Sequence, residues 1–144
     1  MVRRHSPLFL AVTLLLAGTA ATSKPKESSI TFLSPAQGGG VITSDETLPY
    51  GSVASIFYDA ERLPDCRGTL DGVRPAWSIS GYYQFNGGPV QGFWVAGSSG
   101  DPFPPAPSIL LSERGELTVW FDNSNRWGCY ARDPASDVYR FTVH

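Results

Sequence analysis

The chain has 144 residues, 42% of them hydrophobic and 17% charged, with a net charge of −2 at pH 7. This length allows one domain, and the apolar content excludes a disordered chain. After Lys26 the basic residues are scattered arginines and form no basic run, which argues against a nucleic-acid partner.

The N-terminal residues have the pattern of a secretory signal peptide. Arg3 and Arg4 precede an apolar run over 8–17, and small residues follow at 18–21. The run is shorter than the roughly 20 residues of a membrane span. Cleavage after Ala21 would leave 123 residues with nine basic and thirteen acidic side chains, a net charge of −4. We therefore expect a signal peptide over 1–21, a polar linker over 22–29, and a secreted or periplasmic domain over 30–144 without a membrane span.

The first half of that domain reads as short strands between turns. Strands are predicted at 30–33 and 41–43. The window 52–63 fits both a helical stripe and a strand over 53–58, and the β-branched and aromatic residues favour the strand. A long loop is predicted over 64–75, with a turn at Asp71-Gly72.

Residues 76–96 are predicted to form a β-hairpin, because two aromatic runs flank Asn86-Gly87-Gly88-Pro89. With the turn at Gly87-Gly88, Gly81 would lie opposite Trp94, which would cover its bare backbone. One face is then predicted to be core: Trp77, Ile79, Tyr83, Phe85, Val90 and Trp94. The other face is wetter and carries Tyr82, Gln84, Gln91 and Phe93.

The second half follows the same pattern. Prolines make 97–107 irregular, and a short strand is predicted at 108–111. Residues 116–121 alternate, with Leu117, Val119 and Phe121 on one face and Trp120 on the other. A polar loop is predicted over 122–137, and the strand 138–143 closes the domain with Tyr139, Phe141 and Val143 on its core face. About eight short strands predict an all-β fold, a small antiparallel β-sandwich, immunoglobulin-like or similar, with a small barrel as the alternative.

The two cysteines of the exported part, Cys66 and Cys129, lack metal-ligand spacing. In an oxidising compartment such a pair is predicted to form a disulfide. A free nucleophilic cysteine would need a base, and the histidines are His5, inside the predicted signal, and His144 at the C-terminus.

Several segments resemble a family of secreted bacterial all-β domains of unknown function. They are Tyr58-Asp59-Ala60-Glu61-Arg62-Leu63-Pro64-Asp65-Cys66-Arg67, the stretch from Trp77 to Phe85, Trp120-Phe121-Asp122-Asn123 running on to Gly128-Cys129, and Tyr139-Arg140-Phe141-Thr142-Val143. The resemblance supports the strand at 53–58 and implies a fixed Cys66–Cys129 pair, but it supplies no activity. The last two segments are also similar to starch-binding modules, at the level of the fold.

The candidate ligand site is the polar segment with its aromatics: Trp120, Asp122, Asn123, Asn125, Arg126 and Trp127. Sugars stack on exposed aromatic rings, while Asn, Asp and Arg bind their hydroxyl groups. In the competing interpretation, Trp127 packs on the disulfide and Arg126 stacks on a ring. A second candidate is the wetter hairpin face around Tyr82 and Phe93, unless a second sheet covers it.

The sequence gives weaker support for metal binding and for catalysis. Oxygen ligands for calcium exist at Asp122, Asn123, Asn125, Asp133 and Asp137, but without a calcium-loop pattern. A glycoside-cleaving pair would have to come from Asp59, Glu61, Asp65, Asp122 and Asp133, and a serine triad lacks its internal histidine. We therefore predict no catalytic residues, no metal and no cofactor. The expected function is a non-catalytic binding module, with carbohydrate as the leading ligand and a structural or protein-interaction role in the cell envelope as the alternative.

Overall fold

The structure, a computed structural model, describes residues 26–98 and 105–144. The predicted signal peptide lies outside these residues. The described part contains eleven strands: β1 (Glu27–Phe32), β2 (Val41–Thr43), β3 (Val53–Tyr58), β4 (Thr69–Leu70), β5 (Arg74–Pro75), β6 (Trp77–Phe85), β7 (Gln91–Gly97), β8 (Ser108–Leu110), β9 (Gly115–Asn125), β10 (Tyr130–Asp133) and β11 (Tyr139–Val143). Two single-turn 3-10 helices lie at Pro35–Gln37 and Ala60–Arg62. The predicted all-β sandwich is confirmed, and the ambiguous window forms the strand β3.

The first sheet has the strand order β2-β1-β3-β8. Its β1–β3 pair is parallel, with Ile30 opposite Ile56, whereas the other pairs in this sheet are antiparallel. The chain turns from β1 into β2 and then returns to the start of β1 on its other edge, so β3 runs in the same direction as β1. Strand β1 also begins at Glu27, inside the segment predicted to be a linker.

The second sheet has the order β10-β9-β6-β7, and β11 pairs with the first half of β9. Strand β9 extends to Asn125 and β10 follows, so the predicted polar loop over 122–137 was wrong for half of its length. The reason is pairing: β9 is matched to β6 from Leu117 opposite Phe85 to Asn125 opposite Trp77. Cross-strand pairing outweighs the low strand preference of Asp and Asn.

The core lies between the two sheets. Ile30, Phe32 and Ile109 of the first sheet are fully buried or nearly so, as are Leu117, Val119 and Phe121 of the second. The predicted core faces of β9 and β11 are confirmed, because Tyr139, Phe141 and Val143 also pack on this cluster. Phe121 is held between aromatic rings, 4.8 Å from Phe32 and 3.9 Å from Tyr58 between ring centroids.

The hairpin register differs by one residue from the predicted one. Asn86 and Gly87, not Gly87 and Gly88, occupy the turn, with φ of 50° and 71°. Asn86 is held there because its side chain accepts a hydrogen bond from the Glu116 amide at 2.9 Å and donates one to the Arg114 carbonyl oxygen at 3.0 Å. A slip of one residue exchanges the two faces of a strand. In β7, Phe93 therefore lies in the core opposite Gly81, and Trp94 points outward.

The predicted disulfide is confirmed. Cys66 and Cys129 are bonded, with an S–S distance of 2.04 Å. The bond ties the turn between β9 and β10 to the segment that precedes β4. Closing 63 residues of chain should stabilise the fold by roughly 4 kcal/mol. The predicted Asp71-Gly72 turn is also present, between the two-residue strands β4 and β5.

Candidate ligand-binding face

The second sheet has an outer face, on the side away from the core, that carries aromatic and charged side chains. Two rows follow from the strand register. One row crosses the sheet through Trp94, Ser80, Asp122 and Arg132, and the next through Gly92, Tyr82 and Trp120. We call six residues of this face the outer-face cluster: Tyr82, Trp94, Trp120, Asp122, Tyr130 and Arg132.

The centre of the cluster is a set of stacked groups. The rings of Tyr82 and Trp120 lie 5.7 Å apart between centroids and are nearly parallel. The guanidinium carbon of Arg132 lies 5.3 Å from the Trp120 ring centroid, within cation–π range. Tyr82 also leans over the bare backbone of Gly92, where an added Cβ would lie 3.3 Å from its ring. These contacts hold Tyr82, Trp120 and Arg132 in place on the sheet.

The polar groups of the cluster are incompletely paired. Arg132 Nε and Asp122 Oδ1 are 3.7 Å apart, which is an ion pair but too long for a hydrogen bond. Among the described residues, five buried side-chain nitrogen or oxygen atoms lack a hydrogen-bond partner, and three belong to the cluster: Trp94 Nε1, Asp122 Oδ1 and Arg132 Nε. Buried polar atoms are usually satisfied by protein, water or ligand, so this concentration is unusual.

Tyr130 is the most exposed member of the cluster, with 60% of its surface accessible. Partial burial and the nearby Asp122 carboxylate raise the pKa of Tyr130 above its ordinary value. Its hydroxyl therefore remains a neutral hydrogen-bond donor and acceptor at physiological pH.

A polar groove of about 410 Å³ adjoins the stacked groups. Gln84, Thr118 and Arg132 line it on the sheet, and Asp137, Val138 and Arg140 line it from the segment that enters β11. Arg140 is paired there with Glu116 at 3.1 Å and with Asp137 at 3.3 Å. The outer face thus combines an aromatic surface with an adjoining polar groove.

The structure separates the six residues of the predicted site. Trp120 and Asp122 lie in the outer-face cluster. Asn123 is fully buried on the core side, where its amide nitrogen donates to the carbonyl oxygens of Leu63 and Asp65. Alternation along β9 gives this result, because Asn123 follows Phe121 on the same face.

The other three residues of the predicted site lie at the turn between β9 and β10. The Asn125 side chain accepts hydrogen bonds from the amides of Trp127 and Cys129, both at 3.0 Å. The amide of Arg126 donates to the Ala76 carbonyl oxygen. The Trp127 side chain is 60% exposed, and one edge of its ring covers Gly68. These residues shape the turn beside the disulfide and are not part of the outer-face cluster.

The second candidate, the hairpin face around Tyr82 and Phe93, is corrected by the register. Tyr82 lies on the outer face, whereas Phe93 packs in the core, with its ring centroid 6.2 Å from that of Phe121. Sequence reasoning missed Trp94, Tyr130 and Arg132 as members of one surface. The available signal was alternation in β10, which places Tyr130 and Arg132 on one face once that segment is recognised as a strand.

The core side of the same sheet carries a second arginine–aspartate pair. Arg62 Nε donates to Asp133 Oδ2 at 2.7 Å, and Tyr58 donates to the same oxygen at 2.9 Å. Tyr139 donates to the other carboxylate oxygen at 2.5 Å, and Arg62 also donates to the Leu33 and Gly39 carbonyl oxygens. Burial, followed by the hydrogen bond to Asp133, raises the pKa of Tyr139 to about 12. Burial likewise raises the pKa of Tyr58 well above its usual value.

Three of the carboxylates considered for calcium binding or glycoside cleavage have identifiable roles in the fold. Asp59 accepts the Glu61 amide at 2.9 Å and caps a 3-10 turn, and Glu61 pairs with Arg67 at 2.7 Å. Asp133 is the acceptor of the core-side network. Within 26–98 and 105–144 there is no group of three His, Cys, Asp or Glu side chains arranged to hold a metal ion. No helix in the same ranges is long and apolar enough to cross a membrane.

Comparison with known proteins gives one match. A family described as a family of unknown function, DUF6209, matches residues 31–144. No curated protein and no solved structure matches the chain. The match covers all of the described strands except the first residues of β1.

Proposed function

The chain belongs to the DUF6209 family of unknown function, and we propose that it is an exported, non-catalytic binding module whose outer-face cluster binds a carbohydrate. Export is supported by the signal-like residues 1–21 and is compatible with the disulfide. The ligand would lie across β9, β6 and β10, over the stacked groups and the adjoining groove.

The observation that carries this proposal is the concentration of unpaired polar atoms among aromatic rings. Trp94 Nε1 and Arg132 Nε are donors, and Asp122 Oδ1 is an acceptor. These three atoms are buried in the ligand-free domain, and sugar hydroxyl groups, which both donate and accept, would pair with them once binding moves the side chains that cover them. The apolar C–H faces of a sugar pack on aromatic rings, and the exposed Tyr130 ring provides such a surface at the edge of the cluster.

The groups on this face support binding more than catalysis. The carboxylate of the cluster, Asp122, is paired with Arg132. The nearby carboxylates Glu116 and Asp137 are both engaged by Arg140. General acid–base cleavage of a glycoside uses two carboxyl groups with different proton affinities on either side of the bond. These carboxylates pair with arginines across the groove, an arrangement that fixes the geometry of a binding surface.

The test is a glycan-array screen of the oxidised mature domain, followed by titration of each hit with tryptophan fluorescence. We expect a hit whose binding shifts tryptophan emission. Trp120→Leu should weaken its binding by about tenfold or more, the usual effect of losing a central aromatic contact. Trp127→Leu removes an exposed tryptophan outside the cluster and should leave the affinity unchanged. A blank array, or binding lost in Trp127→Leu and retained in Trp120→Leu, would contradict the proposal.

A second function, a protein-interaction module, is supported by a different surface. On the outer face of the first sheet, Ile42 and Phe57 flank Thr31 in one cross-strand row and are 54% and 49% exposed. Leu110 in the same sheet is 57% exposed. Exposed apolar patches of this kind mark protein-interaction sites. One stoichiometric partner that binds the wild-type domain and is lost in Phe57→Ser would favour this function, whereas Trp120→Leu should not affect it.

A further inference from the structure

Arg132 differs from Arg140 and Arg62 in what its terminal nitrogens do. In Arg140, Nη1 and Nη2 are each bound to a carboxylate. In Arg62, both nitrogens donate to carbonyl, carboxylate or tyrosine oxygens. The structure gives the Arg132 Nη1 and Nη2 no hydrogen-bond partner among residues 26–98 and 105–144, although the guanidinium lines the groove.

The Arg132 guanidinium is nevertheless held in position. Its plane is supported by the Trp120 ring at 5.3 Å, and its Nε faces the Asp122 carboxylate at 3.7 Å. Because Nε faces Asp122, the edge of the guanidinium that carries Nη1 and Nη2 is left for other contacts. This edge presents two parallel N–H groups, the geometry that binds a carboxylate in bidentate fashion.

We propose that the carbohydrate bound by the outer-face cluster is acidic, and that Arg132 binds the carboxylate of a uronic acid residue in the groove. This inference rests on the proposed function and specifies its ligand. The uronate carboxylate would pair with Arg132 as the carboxylates of Glu116 and Asp137 pair with Arg140. The sugar ring would then lie toward the stacked rings of Tyr82 and Trp120.

The remaining groups of the groove fit this ligand. Gln84 lies at the groove wall, and Thr118 is almost fully buried at its floor. Arg140 is paired with Glu116 and Asp137, whereas the terminal nitrogens of Arg132 have no hydrogen-bond partner among the residues that the structure describes. A volume of about 410 Å³ lies in the range of small-ligand sites and suits a few sugar residues. Asp122 would then accept a neighbouring hydroxyl through its unpaired oxygen.

The test compares acidic glycans with neutral partners of the same backbone. Suitable pairs are oligogalacturonate with its methyl ester and glucuronoxylan with unsubstituted xylan, titrated by calorimetry against the oxidised domain. We expect at least one acidic member to bind about tenfold or more tightly than its neutral partner, as a charge-assisted bidentate contact allows. This preference should decrease as salt is raised.

Three variants test whether Arg132 causes the preference for acidic glycans. Arg132→Gln should weaken binding of the acidic glycan more than binding of its neutral partner, so that the two affinities converge, and Arg132→Lys should restore only part of the difference, because an ammonium lacks the fork. Arg74→Gln makes the same change in net charge on the remote β4–β5 hairpin and should leave the preference unchanged. Thermal melts of all three check that they are folded.

The outcomes separate this inference from the proposed function. Equal affinity for acidic and neutral partners, or an acidic preference that survives Arg132→Gln, overturns the role of Arg132 and leaves carbohydrate binding in place. Binding to neutral glycans alone would likewise overturn the role of Arg132 and leave carbohydrate binding in place. If no glycan binds, acidic or neutral, both the inference and the proposed function are wrong.

Discussion

Strand β10 carries two neighbouring charged residues on opposite faces of the sheet, and each belongs to an arginine–aspartate pair among aromatic rings. On the core side, Asp133 is paired with Arg62 at 2.7 Å. On the outer side, Arg132 is paired with Asp122 at 3.7 Å. The residue types are the same, but the two pairs differ in how completely their hydrogen-bond capacity is used.

The core-side pair is nearly saturated. Both Asp133 oxygens accept from tyrosine hydroxyls, and the Arg62 guanidinium reaches two backbone carbonyl oxygens as well. The outer pair leaves a carboxylate oxygen, a guanidinium Nε and the nearby Trp94 Nε1 without partners. The first arrangement stabilises the fold by joining the two sheets, and the second leaves buried donors and acceptors without hydrogen-bond partners. Unused hydrogen-bond capacity, not residue type, therefore distinguishes the outer pair from the core-side pair.

The largest expected difference between the two pairs is in stability. Arg62→Met leaves the Asp133 carboxylate without its cation in the protein interior and should lower the free energy of unfolding by about 3–5 kcal/mol. Arg132→Met on the outer face should lower it by less, because the Arg132–Asp122 pair is more exposed and makes no hydrogen bond. Urea denaturation of the oxidised domain measures both. Equal losses in the two variants would show that the outer pair is also part of the scaffold.

Two glycines allow side-chain packing to be compared between the core face and the outer face of the second sheet. A Cβ added at Gly81, on the core face, would lie 2.2 Å from the Phe93 ring, whereas one added at Gly92, on the outer face, would lie 3.3 Å from the Tyr82 ring. We expect Gly81→Ala to cost about 1–3 kcal/mol of stability through overpacking, and Gly92→Ala to cost less because Tyr82 can shift outward. Thermal unfolding compares the two variants. If Phe93→Leu does not rescue any of the loss in Gly81→Ala, the loss does not come from this contact.

Alkaline pH should destabilise the core-side network specifically. Burial and the hydrogen bond to Asp133 raise the pKa of Tyr139 to about 12, above the value of about 10 expected in the unfolded chain. The folded state holds this proton more tightly, so its contribution to stability is complete below about pH 10 and is lost as the pH rises through about 12. Tyr139→Phe should reduce the stability lost between about pH 10 and pH 12, measured by urea denaturation at a series of pH values across this range. The matched change Tyr50→Phe, at an exposed tyrosine, should leave that loss as in the wild type, and an identical effect of both would contradict this assignment.

Much of this architecture follows from the sequence. Alternation in 116–121 placed Leu117, Val119 and Phe121 in the core and Trp120 outside, and the two cysteines of the domain predicted the disulfide. The first feature follows from the local alternation of apolar and polar residues, and the second from the number of cysteines. Both can be read from one sequence. The strand β3 was also predictable from its β-branched and aromatic residues, despite the helical stripe in the same window.

The candidate face was harder to predict because it depends on register and on contacts distant in sequence. The side chain of Asn86 fixes the hairpin turn by bonding to the backbone at Arg114 and Glu116, and this contact decides that Trp94 faces outward. Arg132 lies in a segment rich in Asp, Pro and Ser that reads as a loop, and it becomes a strand only through pairing with β9. Neither contact leaves a periodic signal in the sequence.

The most direct test of the central claim is a two-dimensional nitrogen–proton NMR titration of the oxidised domain with the strongest glycan hit. The chain has four tryptophans, so four indole N–H signals report separately on Trp77, Trp94, Trp120 and Trp127. We predict that the Trp94 and Trp120 indole signals shift with saturation, together with the Arg132 Nε signal, while the Trp127 signal stays in place. Shifts confined to Trp127 and the turn beside the disulfide, or no shift in any indole signal at saturating glycan, would contradict the assignment of ligand binding to the outer face.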